Sequence, residues 1–292
     1  MKKIFIKLYD YLKLLWETFV SLISIVLFTS FIVSRKNSKF RKSNIEDVHI
    51  LANGPSLKDI LENKLEFLKN NDTLAVNFFA NNPIFFKVKP KYYVLLDPGL
   101  FFGSGHVELS ARVPVMMNNL SKVTWEMTLY VPYSKTIVEK IKNQLNNSYI
   151  KIMPFCPTRV TGFKSFRNWA YKHNLGLPSS KNVLLPSILL MLNRGYKRVY
   201  LYGAEFSWTK TYAVNPENGK IYTDDDHFYD MNRLPLKKGQ FKFDLSCLVD
   251  ALDATDYLAE YADYISAIII NRTPGSFIDA FVYENPETIT LK

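Results

Sequence analysis

Apolar positions follow two rhythms along this chain. The first is one uninterrupted run, Thr18 to Ser34 (TFVSLISIVLFTSFIVS), that carries no charge. Lys2, Lys3, Lys7 and Lys13 precede it, and Arg35, Lys36, Lys39, Arg41 and Lys42 follow it. The run lies at the short end of the roughly 17–25 residues that cross a bilayer. Leu12, Leu14, Leu15 and Trp16 lengthen it if Lys13 snorkels and Glu17 is tolerated. No clean small-x-small cleavage site precedes Arg35, so the pattern predicts an uncleaved membrane anchor or an in-plane membrane helix, with a buried helix of the globular domain as the alternative. The basic cluster after the run predicts a body facing the cytoplasm at the inner (cytoplasmic) membrane. Residues 1–43 are expected to form this anchor with its basic linker, and residues 44–292 an α/β domain.

From Asp47 the rhythm changes to short apolar runs that end in polar clusters. Val48 to Ala52 reads as a strand, enters Asn53-Gly54-Pro55-Ser56, and is followed by helical spacing from Leu57. Further strands are expected at Thr73–Val76, Lys91–Leu96, Leu129–Val131, Tyr149–Ile152, Val199–Gly203 and Ile265–Ile270. Helices are expected at Ser134–Leu145, Val183–Leu192 and Leu248–Tyr264, the second stopped at Arg194-Gly195. This alternation predicts a Rossmann-like, mostly parallel sheet with helices on both faces. Residues 206–242 are polar, aromatic and irregular, the composition of a lid. In such sheets ligands bind at the carboxyl ends of the strands. The polar clusters fall there: Asn53 to Ser56, Asn77, Asp97, Gly203-Ala204-Glu205 and Thr273-Pro274-Gly275-Ser276.

Composition narrows the class. The chain has 292 residues, 48% hydrophobic and 22% charged, enough for a packed core and unlike a disordered chain. The net charge of +10 fits nucleic acid, an anionic membrane or anionic small substrates. No RNP motif, zinc finger or helix-turn-helix signature occurs, so nucleic acid is the weakest of the three. Cys156 and Cys247 are too few and too far apart for a disulfide framework or a cysteine zinc site. GxxxxGKS, GxGxxG, HExxH and GxSxG are absent, which disfavours P-loop NTPases, dinucleotide dehydrogenases, zincins and α/β-hydrolases.

The clusters carry several chemistries. Gly54 allows close backbone approach or a positive φ, Pro55 stiffens the turn, and Ser56 can cap the next helix, whose free N–H groups suit a phosphate. An ordinary structural turn is the alternative. Asn77 can read a ribose or a base, while Asp97-Pro98 serves equally as a turn start. His227 stands in Asp224-Asp225-Asp226-His227-Phe228-Tyr229-Asp230. The carboxylates can raise its basicity, hold a divalent metal, or form a solvated acidic turn. His49, inside a strand, is expected to be structural.

The block from Ile50 to Lys58, with its NGPSL turn, resembles the opening of bacterial sialyltransferases of glycosyltransferase family 42. The stretch from Gly195-Tyr196-Lys197 through Tyr200-Leu201-Tyr202-Gly203 to Glu205-Phe206 is similar to the same family. So is Asn271 to Phe277. The resemblance implies an inverting transfer of a sugar from a CMP-activated donor to a cell-surface glycan or glycolipid acceptor, the sugar being a nonulosonic acid such as sialic acid, or Kdo. It implies donor contacts from Asn53, Gly54, Pro55, Ser56, Asn77, Asp97, Asn182, Gly203, Glu205 and Ser276. It also implies His227 as general base, and Tyr212 and Tyr229 as donors to the leaving phosphate. No metal or other cofactor is expected for the chemistry. Position 97 is Asp where the family often has Asn. The family's Arg-Ile-Thr-Ser-Gly before the central helix becomes Ser180-Lys181-Asn182-Val183-Leu184, so Lys181, Asn182 or Ser187 would have to meet the sugar carboxylate. Two further classes stay open: a metal-dependent nucleotide phosphotransferase using Asp224, Asp225 and Asp226, and an inactive membrane scaffold of the same fold. A homo-oligomer is compatible with the sequence.

Overall fold

The computed structural model describes residues 2–39, 43–103, 107–227 and 230–289. Within these, the side chains of 2–4, 107–110, 224–227 and 230–234 fall outside the description. The strands are β1 (Asp47–Leu51), β2 (Thr73–Val76), β3 (Tyr92–Val94), β4 (Met127–Pro132), β5 (Ile150–Phe155), β6 (Arg198–Tyr202), β7 (Tyr212–Val214), β8 (Ile221–His227), β9 (Asp230–Pro235), β10 (Ile268–Asn271) and β11 (Val282–Tyr283). The helices are α1 (Lys2–Phe28), α2 (Phe31–Ser38), α3 (Leu57–Asn63), α4 (Leu65–Lys69), α5 (Phe85–Val88), α6 (Gly99–Phe102), α7 (Val107–Ser121), α8 (Lys135–Gln144), α9 (Lys164–Lys172), α10 (Leu184–Asn193) and α11 (Gln240–Tyr264).

Eight strands form one parallel sheet in the order β11-β10-β6-β1-β2-β3-β4-β5. Side-chain alternation sends each strand's apolar residues to two separate cores. On one face Val48, Ile50, Leu74, Val76, Val199 and Leu201 pack with α10 and α11. On the other, Leu51, Ala75, Tyr93 and Leu129 pack with α3, α5 and α8. Such double burial explains why the strands read as continuous apolar runs. The expected α/β class with a mostly parallel sheet is the fold observed.

Several elements differ from the sequence reading. The segment read as irregular lid is a three-stranded antiparallel sheet, β7-β8-β9. Helix α11 begins at Gln240, ahead of the expected Leu248, and β10 begins at Ile268. Between them the chain turns through Ser266, whose φ is +55°. Helices α7 and α9 were not expected; α7 carries Pro114 internally and α9 is rich in aromatic and basic residues.

His49 sits in β1 as a core residue, stacked on Tyr200 with Nδ1 3.1 Å from the Tyr202 hydroxyl. Arg272 also donates to that hydroxyl (3.1 Å). Burial, and then the nearby Arg272 charge, lower the His49 pKa from 6.5 to about 3. The folded protein therefore binds fewer protons than the unfolded chain between these values. Its His49 contribution to stability is complete above pH 6.5 and is lost as pH falls toward 3, at up to about 1.4 kcal/mol per pH unit. Thermal melts across this range should show a flatter acid limb for His49→Phe than for the parent protein.

Candidate functional site

The chain runs from β1 outward to β5, then returns to lay β6 on the other side of β1. The segment after β1 enters α3 on one face of the sheet, and the segment after β6 leads to α11 on the other. β1 and β6 therefore meet at the switch point of the sheet, where a crevice opens between diverging loops. Asn53 to Ser56 leaves β1 here, and Gly203 to Glu205 leaves β6 beside it.

The two turns are bonded together. Ala52 N–H donates to the Tyr202 carbonyl and Gly54 N–H to the Gly203 carbonyl, both at 2.9 Å. The Ser56 N–H donates to Glu205 Oε1 at 2.7 Å. Ser56 does not cap α3 with its own side chain; the cap is the Glu205 carboxylate, supplied from β6. This amide, which a phosphate would use, therefore faces a carboxylate. Gly54 has the same cause. A Cβ there would lie 1.6 Å from Glu205 Oε2 and 2.6 Å from the Gly203 carbonyl oxygen. The close approach that this glycine permits is to the chain's own β6 turn.

Three buried oxygens in this corner have no hydrogen-bond partner within the protein: Asn53 Oδ1, Ser56 Oγ and Glu205 Oε2. A buried unmet oxygen costs about 1–3 kcal/mol, so such groups call for water or a ligand. Two of the three can only accept. The chemistry they await is a donor, such as a ribose hydroxyl or an exocyclic amine.

The neighbouring strand ends are braced. Asn53 Nδ2 donates to the Val76 carbonyl at 3.2 Å. Asn77, at φ +43°, accepts from Leu96 N–H through Oδ1 at 3.4 Å. Asp97 is exposed and accepts from Gly99 N–H at 2.7 Å, opening α6 as a turn residue. Ser276 Oγ donates to the Ala204 carbonyl (2.7 Å), tying the loop after β10 to the Glu205 turn. Asn182 Oδ1 accepts from Leu184 N–H at 2.8 Å at the start of α10. Ser187 is fully buried and donates to the Val183 carbonyl, so it does not meet a ligand.

A cleft of about 220 Å³ opens between the starts of α10 and α11. Arg159, Ser179, Ser180, Lys181, Phe243, Ser246, Cys247 and Asp250 line it. Both helices begin at the carboxyl side of the sheet, so the cleft and the β1–β6 crevice share one rim. Asp250 holds two neighbours, pairing with Arg159 and accepting from Ser179 Oγ at 2.7 Å. Lys181 is exposed, with its ammonium over the Phe243 ring at 5.2 Å. Arg159, Phe243 and Asp250 were missed in the sequence. Arg159 follows β5 in a strand-end cluster, which is the signal that would have found it.

The lid sheet is anchored beside this cleft. Tyr212 donates to Asp244 Oδ2 at 3.1 Å and meets Phe241 edge-on. Burial, Asp244 and Cys247 push its pKa up to about 12, so its hydroxyl keeps its proton. Tyr212 pairs with Thr223, and His227 lies four residues further along β8, next to its turn with Asp230. That is about 13 Å along the strand. The structure does not bring Tyr212 and His227 to one point of the lid. The His227 side chain and all of Tyr229 lie outside the description, as do the side chains of Asp224, Asp225 and Asp226. Among the described residues no cluster of His, Cys, Asp and Glu has metal-binding geometry.

No protein-family model matches the sequence, and no curated protein does. Among solved structures the chain is similar to the MAf glycosyltransferase from Magnetospirillum magneticum AMB-1, at 12% identity and a TM-score of 0.50. The match covers 90% of this chain and 39% of that one. The likeness is one of fold, and this chain spans well under half the length of that protein.

Proposed function

We propose that this chain is a glycosyltransferase that takes a CMP-activated sugar at the β1–β6 crevice and transfers it, with inversion, to a glycan or glycolipid acceptor at the cytoplasmic membrane. The observation that carries the reading is the set of unpartnered acceptors, Asn53 Oδ1 and Glu205 Oε2, at the switch point of a parallel sheet. They suit the ribose hydroxyls or cytosine amine of a nucleotide. They do not suit its phosphate, which like charge keeps away from Glu205. The fold likeness to a glycosyltransferase supports the class.

The remaining roles follow the geometry of the rim. The sugar would occupy the cleft, with Lys181 facing the carboxylate of a nonulosonic acid or Kdo. Tyr212 would leave Asp244 to donate to the departing phosphate, where a fixed donor stabilises developing charge. His227 would remove the acceptor's proton. No metal is assigned a part. Incubating the protein with CMP-activated nonulosonic acids or Kdo, a glycolipid acceptor and EDTA should release CMP. Release that requires Mg²⁺, or transfer of phosphate in place of sugar, would overturn the reading in favour of a phosphotransferase.

A further inference from the structure

Helix α1 is long and apolar enough over Phe5–Phe28, 24 residues, to cross a membrane. Its packing specifies a different placement. The polar side chains of its apolar run face the protein, and most of its apolar side chains face outward. Thr18 Oγ1 accepts from Phe163 N–H at 2.9 Å. Ser21 Oγ accepts from Thr161 N–H at 2.9 Å and donates to its carbonyl at 3.2 Å. Thr29 donates to the Leu175 carbonyl at 2.7 Å, and Ser34 to the His173 carbonyl at 2.5 Å. In α2, Asn37 Nδ2 donates to the Pro154 carbonyl at 2.8 Å. Ile25 and Val33 complete the inward stripe, both buried. At Gly162 a Cβ would lie 2.2 Å from Thr18 Oγ1, so the body is shaped to receive the helix at that point.

The outward residues are Phe19, Val20, Leu22, Ile23, Val26, Leu27, Phe28, Phe31 and Ile32, all exposed, with Leu12, Leu15 and Trp16 before them. A surface helix of a water-soluble body shows the reverse polarity. The stripe runs from Thr18 in α1, through the break at Thr29 and Ser30, to Asn37 in α2. A helix docked over that stretch carries its partner loops with it. Crossing the bilayer would draw the polar backbone of residues 154–177 into hydrocarbon, which membranes exclude. Lying flat satisfies both sides. The outward face then enters the lipid while Lys7, Lys13, Arg35, Lys36 and Lys39, all exposed and at the ends of the apolar run, meet headgroups.

We infer that α1 and α2 form an in-plane membrane-docking surface, fixed to the body by a hydroxyl stripe, whose partner is an anionic lipid bilayer. Loops held by this stripe also form the cleft wall: Thr29 bonds Thr158, next to Arg159. The inference goes beyond the proposed transfer and stands whether or not the cleft turns over a sugar.

The test uses full-length protein with vesicles of phosphatidylcholine alone or mixed with phosphatidylglycerol. Binding should be at least about ten-fold tighter to the anionic vesicles. The outward double substitution Phe19→Glu/Leu27→Glu should abolish flotation with an unchanged melting temperature. With Cys156 and Cys247 replaced by Ser, a fluorophore on cysteines at Leu12, Phe19, Val26 or Ile32 should be quenched at one shared depth, about 5–10 Å into the headgroup boundary. A profile deepest at Phe19 and Val26 and shallow at Leu12 and Ile32 would mean a spanning helix. Absence of vesicle binding, with the labels buried only as protein concentration rises, would mean a second copy as partner. Either result overturns the inference.

Discussion

Gly54→Ala is expected to lower stability by roughly 3–5 kcal/mol, the combined cost of overpacking and of a displaced charge-assisted hydrogen bond. For a chain of this size the melting temperature should fall by about 10 °C. The cause is internal. The new Cβ lands on the Glu205 carboxylate and on the Gly203 carbonyl. The carboxylate can swing away, but it then releases Ser56 N–H. The carbonyl belongs to backbone already bonded to Gly54 N–H. Glu205→Ala in the same chain should recover part of the loss, because one of the two obstacles is gone. A glycine kept only for ligand approach predicts another pattern: normal melting of Gly54→Ala with lost nucleotide binding. Thermal melts of the two variants and their combination separate the two.

His227→Ala is expected to reduce turnover by about 10²–10⁴-fold, the usual worth of a general base. Melting temperature and nucleotide binding should stay as in the parent protein. His227 ends β8 at the hairpin turn, away from the packed sheet. Its distance along the strand from Tyr212 divides the labour. Under the proposed function, His227 would attend the acceptor hydroxyl and Tyr212 the leaving phosphate beside α11. CMP release measured with and without acceptor resolves this. A loss confined to transfer, with slow donor hydrolysis retained, fits a base acting on the acceptor. Turnover within threefold of the parent would remove His227 from the chemistry.

The sheet was legible because its strands are buried on both faces and therefore stand out as apolar runs. The crevice was legible for a related reason: polar residues directly after such runs, as in Asn53 to Ser56 and Gly203 to Glu205, fall on the carboxyl rim. What joins them was not. Glu205 caps a turn 149 positions away, a contact that exists only once β6 lies beside β1. Ser56 therefore looked like its own cap. The lid sheet was missed because β8, with its run of aspartates, lacks an apolar alternation to mark it. The N-terminal run shows the limit from the other side. Its hydroxyls add no charge, so hydropathy registers a uniform apolar segment. Their spacing at Thr18, Ser21, Ser34 and the intervening Thr29 is a docking stripe. Only the loops at 154–177 reveal it.

Nucleotide binding at the switch point is read by thermal shift of the full chain in mild detergent, with CMP, UMP, GDP and ADP, each with and without Mg²⁺. At one hundred times Kd a ligand that binds only the folded state adds about 2.7 kcal/mol, roughly 5–10 °C here. The expected result is a shift with CMP alone, equal with and without Mg²⁺, and reduced by Asn53→Ala and Glu205→Gln. A shift with another nucleotide only, or one that depends on Mg²⁺, or one that both substitutions leave intact, would contradict donor binding at the β1–β6 crevice.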